Sequence, residues 1–129
     1  MVDIKASAGS GGFAGNARTR MDLAFISGWL KRQGLQPQNL KLIEVLGDSM
    51  EPRIYEGDMV LIDTAQNTPR TGGVYAVMTD GWLKIKRLYV TLTGEIELHS
   101  DNEKYRPERP DSSLTIVGRC VWTAGSGGL

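Results

Sequence analysis

Ser49 and Lys86 are the residues of this 129-residue chain whose types and settings suit covalent chemistry. Ser49 lies in Gly47-Asp48-Ser49-Met50-Glu51-Pro52, directly after the apolar run Leu40 to Leu46. Lys86 lies in Leu83-Lys84-Ile85-Lys86-Arg87-Leu88. A serine hydroxyl is a poor nucleophile until a base takes its proton. A lysine serves as that base only when it is desolvated enough to be neutral near pH 7. Such a pair is a complete nucleophile–base unit without a histidine, and His99 is the single histidine here. Taken alone, the residues also have plainer readings. A serine in a Gly-Asp-Ser turn commonly bonds only its local backbone, and a Lys-x-Lys-Arg strand is commonly a solvated face. Strand parity puts Trp82, Lys84, Lys86 and Leu88 on one face and Leu83, Ile85 and Arg87 on the other, so periodicity does not separate Lys84 from Lys86. Asp48 and Glu51 flank the serine beside a turn, where a solvent-exposed carboxylate is the ordinary outcome. No His/Cys/Asp grouping has metal-ligand spacing, and neither metal nor cofactor is expected.

The elements that must position these residues are mostly strands. Leu40 to Leu46 and Met59 to Ile62 read as strands that are apolar on both faces. Val74 to Thr79, Asp80-Gly81 and Trp82 to Tyr89 form a strong hairpin signal, because Asp-Gly supplies the positive φ of a type I′ turn. Thr93-Gly94 suggests a second hairpin with Glu95 to His99, and Leu114 to Trp122 is the last strand. One helix is expected, capped by Asp22, carrying Leu23, Ile26, Trp29, Leu30 and Gln33 on its spacing and stopped at Gly34. Residues 2 to 7 alternate as a short strand does. The small, glycine-rich stretch of residues 8 to 16 reads as flexible. The sum is a mainly β, barrel-like or multi-sheet fold with one N-terminal helix. Its expected parts are a flexible segment over 1–16, a domain over 17–122 and a frayed tail over 123–129. Trp29, Trp82 and Trp122 read as core or interface aromatics.

Composition narrows the function classes. Lys+Arg and Asp+Glu both number 15, so the formal net charge is zero and the basic excess of a DNA-gripping domain is missing. Cys120 is the single cysteine, which rules out an internal disulfide, and its apolar stretch suits a buried thiol without nucleophilic duty. There is no secretory leader and no apolar run near the length of a membrane span, so a soluble cytoplasmic protein is expected.

Five segments in order carry a family resemblance: Gly47-Asp48-Ser49-Met50-Glu51-Pro52, Gly57-Asp58-Met59-Val60-Leu61-Ile62-Asp63, Ile85-Lys86-Arg87-Leu88, Ser100-Asp101-Asn102 with Tyr105 and Pro107, and Ile116-Val117-Gly118-Arg119. Together they resemble the LexA-type Ser–Lys self-cleaving peptidases, a family that includes LexA, lambda-type phage repressors and UmuD, over roughly residues 2 to 122. The resemblance implies that Ser49 is the nucleophile and that Lys86, the lysine before Arg-Leu, is the base. It implies an oxyanion site at the backbone N–H groups of Asp48 and Ser49. Asn102 and Tyr105 are then structural turn residues. Family members cut themselves at an Ala-Gly or Cys-Gly bond upstream of the serine. Ala8-Gly9 is the first choice and Ala14-Gly15 the alternative. The implied role is the C-terminal cleavage and dimerisation domain of a repressor. Such a domain forms a homodimer, is stimulated by the RecA filament on single-stranded DNA after DNA damage, and meets operator DNA through a helix-turn-helix domain expected ahead of Val2. A UmuD-like accessory subunit of an error-prone polymerase, and a dimerisation module of the same fold that does not cleave, are the alternatives.

Overall fold

The structure is a computed structural model and describes residues 27–110 and 112–125. The strand expected over residues 2 to 7, the Asp22 cap and both Ala-Gly bonds lie outside the described residues.

Six strands follow in chain order: β1 (Leu40–Glu44), β2 (Met59–Asp63), β3 (Val74–Thr79), β4 (Trp82–Val90), β5 (Ile96–His99) and β6 (Thr115–Ala124). The mainly β expectation holds, and the strands join in one antiparallel sheet of order β1-β2-β6-β3-β4-β5. The hairpin between β3 and β4 turns on Asp80 and Gly81, whose φ values of 53° and 79° are the two positive angles of a type I′ turn. That turn fixes the register from Thr79↔Trp82 to Val74↔Arg87. The described end of the helix, residues 27–32, closes as the glycine foretold. Gly34 has a φ of 73°, its N–H donates to Lys31 O at 3.1 Å, and Leu35 N–H donates to Leu30 O at 2.9 Å. Leu30 and Leu35, the two residues joined by the second of these bonds, are both buried, as at a Schellman end.

Core residues lie on both faces of the sheet. Leu83 and Ile85 of β4 belong to a cluster with Ile43, Val60, Ile62 and Ala76, whereas Leu88 belongs to a second cluster with Tyr75, Val77 and Leu98. Parity therefore carries Lys86 to the face of the second cluster and Arg87 to the face of the first. Two expectations need correction. The tail expected from Thr123 begins later, because Thr123 and Ala124 continue β6 and pair with Val60 and Met59. The physical reason is that β2 still offers Val60 and Met59 as partners past the register irregularity at Leu61/Ile62, so β6 continues beyond Arg119, the last of its residues to pair with β3. Trp82 and Trp122, expected as core or interface aromatics, are not core, since 55% and 43% of their surfaces are exposed in the single chain, which leaves the interface half of that expectation.

Candidate active site

Ser49 is placed by a turn that is pinned from both sides. Inside, Met50 is fully buried in the larger apolar cluster, and its carbonyl accepts from the N–H groups of Arg53 and Ile54, each at 3.0 Å. Outside, residues 102–105 fasten the serine's neighbours. Asn102 N–H donates to Ser49 O at 3.0 Å and Asn102 Nδ2 donates to Asp48 O at 2.9 Å. The Asp48 carboxylate accepts from the Tyr105 hydroxyl and pairs with Lys104 Nζ at 2.7 Å. The Lys104 hydrogen bond, and then that of Tyr105, hold the Asp48 carboxyl below its ordinary value. Ser49 itself is only 4% exposed. Among the described residues neither its hydroxyl nor its N–H has a hydrogen-bond partner. Buried polar groups are nearly always bonded, so an exception calls for a functional or structural explanation.

Lys86 is placed by β4, between Tyr75 of β3 and the start of the turn that follows β5. It is 6% exposed. Its Nζ donates to Ser100 Oγ at 2.6 Å and lies 3.4 Å from Glu108 Oε2. Lys84 Nζ meets the other oxygen of the same carboxylate at 3.1 Å. Burial lowers the proton affinity of Lys86 below the ordinary lysine value, against the opposing charge of Glu108. Burial distinguishes the two lysines where parity does not: the side chain of Lys86 is the more sequestered, 8% exposed against 18% for Lys84.

The turn over residues 100–102 joins the two centres, since Ser100 bonds Lys86 while Asn102 bonds Ser49. No direct hydrogen bond links Ser49 Oγ to Lys86 Nζ. The turn is clamped from the opposite face of β4 by Arg87. Its Nε and Nη2 donate to the two oxygens of Asp101 at 2.9 Å each, and its Nη1 donates to Gly72 O at 2.6 Å. The Asp101 hydrogen bonds raise the proton affinity of Arg87. Arg87→Ala is expected to lower unfolding stability by about 2 kcal/mol, because it strands a mostly buried carboxylate and a carbonyl. Urea denaturation measures this, and an unchanged midpoint would remove the clamp from the account.

Among the described residues, nothing else competes for the chemistry. Burial pushes the Cys120 thiol up to about 11, so it stays protonated at neutral pH. No grouping of described His, Cys, Asp and Glu is arranged to hold a metal ion. A cleft of about 400 Å³ is lined by Arg53, Arg87, Arg119 and Trp122, but not by Ser49 or Lys86. No helix among the described residues is long and apolar enough to cross a membrane. Sequence reasoning placed Ser100 in a motif without giving it a contact and passed over Glu108. The only signal for Glu108 is a carboxylate just after Pro107, in a segment that bridges Leu98.

An antiparallel sheet that sequesters a serine turn and a lysine, and ties both to one further turn, is the build of a peptidase-like β domain. The chain belongs to the Peptidase S24-like family, whose sequence profile matches residues 1–121. It is 32% identical over 127 residues to the HTH-type transcriptional regulator PrtR of Pseudomonas aeruginosa, a match covering 93% of this chain and 50% of that protein. It is 30% identical over 125 residues to the repressor protein CI of Enterobacteria phage phi80, covering 95% of this chain and 53% of CI. It is 37% identical over 93 residues to the LexA repressor of Frankia casuarinae, covering 71% of this chain and 35% of that repressor. The chain thus spans about half the length of the first two relatives.

Proposed function

We propose that this chain is the self-cleaving portion of a repressor-type regulator, with Ser49 as nucleophile and Lys86 as general base. The observation that carries the reading is the pair of buried, complementary groups: a serine whose hydroxyl and N–H have no partner among the described residues, and a lysine whose charged form burial disfavours. Neutral Lys86 takes the Ser49 proton. The alkoxide attacks the carbonyl carbon of Ala8, and the backbone N–H groups of Asp48 and Ser49 hold the resulting oxyanion. Collapse breaks the Ala8-Gly9 bond, Lys86 passes the proton to the departing Gly9 amine, and water then hydrolyses the Ser49 ester. Ala14-Gly15 is the alternative bond. Ser100 accepts one Lys86 N–H throughout, which holds the amine in place.

The names of the relatives, a transcriptional regulator and two repressors, support a repressor role over a UmuD-like polymerase accessory role. In this reading the domain forms a homodimer and the RecA filament on single-stranded DNA promotes docking of the scissile segment. Operator DNA is held by a helix-turn-helix domain of the longer protein, and DNA damage ends repression by cleavage. The test is the intact mass of the purified chain after incubation at pH 7 and at about pH 10, beside Ser49→Ala. Loss of an N-terminal peptide from the wild type alone supports self-cleavage, and its mass names the bond. Loss of the same peptide from Ser49→Ala contradicts it, and a wild type intact at both pH values even with the RecA filament present leaves a dimerisation module only.

A further inference from the structure

We propose that Glu108 is a built-in brake on this site: its carboxylate, shared between Lys84 and Lys86, holds Lys86 in the charged form that is unable to take the serine proton. This deepens the self-cleavage reading above and rests on it for its consequence, though the electrostatic brake itself does not. Glu108 Oε2 lies 3.4 Å from Lys86 Nζ, and Oε1 lies 3.1 Å from Lys84 Nζ. The groups facing Lys86 come from four places. Lys84 shares its strand, Tyr75 stands opposite on β3, Ser100 follows β5, and Glu108 comes from the segment before β6. Tyr75 directs its hydroxyl away, donating to Thr68 O at 3.3 Å, and Ser100 is neutral. Asp101 is engaged by Arg87, whose side chain parity puts on the other face. Glu108 is therefore the one anion among the described residues paired with Lys86, and Lys84 is the one like charge.

Two opposing forces then set the protonation of Lys86. Burial and Lys84 drive the proton off, and Glu108 keeps it on. Burial raises the proton affinity of Glu108 too, but the Lys84 hydrogen bond and both lysine charges outweigh it and leave the carboxyl below its ordinary value. Glu108 is thus an anion at neutral pH. Its backbone is fixed, with N–H and C=O both bonded to Leu98 at 2.8 Å. Its side chain is 42% exposed, so an incoming peptide segment can reach the carboxylate and move it without disturbing the sheet. Glu108 acts through Lys86 and is a positioning and charge-setting residue, not a catalytic one.

The brake predicts effects of opposite sign at neighbouring positions. Glu108→Gln keeps the shape and removes the anion, so the titration midpoint of Lys86 falls and neutral lysine is more abundant at pH 7. Lys84→Gln removes the like charge and leaves Glu108 to Lys86 alone, so the midpoint rises. The direct readout is the Lys86 13Cε shift against pH in the full chain, carried on Ser49→Ala so that no cleavage intervenes. Both variants are compared with Ser49→Ala alone, and preserved backbone spectra report the fold. With Ser49 present, Glu108→Gln is expected to cleave itself about threefold to tenfold faster at pH 7 and Lys84→Gln more slowly, with the rates converging at high pH. Unmoved Lys86 midpoints in both variants, or midpoints moving the same way, overturn the brake. If the midpoints move as stated and no variant cleaves at any pH, the brake stands and the self-cleavage reading falls.

Discussion

Ser49→Ala is expected to abolish self-cleavage, a loss of at least about 10⁴-fold, while leaving the fold unchanged. The size follows from the proposed chemistry, in which loss of the hydroxyl removes the covalent intermediate and leaves Lys86 no nucleophile to activate. Stability is expected to hold because the side chain removed makes no hydrogen bond among the described residues, while the backbone bond to Asn102 remains. An unchanged urea midpoint together with loss of cleavage by intact mass is the expected combination. A large fall in stability would instead mean that the hydroxyl has a structural partner that the account lacks.

Lys86→Met is expected to lower the rate by about a thousandfold or more at pH 7 and to erase its pH dependence. On the proposed mechanism the active form of the wild type is the neutral amine. The rate should therefore rise about tenfold per pH unit below the Lys86 midpoint and level off above it. Burial puts that midpoint below the ordinary lysine value. The sign for stability is separate. A lysine whose folded-state pKa is depressed destabilises the fold most below that pKa, and the penalty fades as pH rises toward the unfolded value. Lys86→Met removes the penalty, and Glu108 keeps its bond from Lys84. The variant should then be at least as stable as the wild type at pH 7. Inactivity with retained stability separates a lost base from a lost fold.

Much of this was legible in the sequence because it is local. Asp80-Gly81 announced its turn, and strand parity, with Leu83 and Ile85 on one face and Lys84, Lys86 and Leu88 on the other, assigned faces that the two apolar clusters reproduce. Gly34 announced the helix end. Ser49 was less legible, because its setting depends on Met50 sinking into a core assembled from several strands. The partners of Lys86 were not legible at all. Ser100 is 14 positions away, and Glu108 is brought back by its bridge to Leu98, so neither contact leaves a trace in local spacing. The end of β6 was misplaced for a related reason. Ala124 has weak strand character of its own, and the pairing of Thr123 and Ala124 with Val60 and Met59 of β2 is a long-range contact that local spacing does not show. For Trp82 and Trp122 the sequence left core and interface open, and their exposure in the single chain removes the core reading.

A pH–rate profile of self-cleavage decides whether Ser49 and Lys86 act as one nucleophile–base unit. Intact mass would be followed over time between pH 6 and pH 10 for the wild type, Ser49→Ala and Lys86→Met. Only the wild type is expected to shed an N-terminal peptide ending at Ala8 or Ala14, at a rate that climbs with pH to a plateau. Cleavage of the wild type at a rate indifferent to pH, or equal cleavage of either variant, would rule the pairing out.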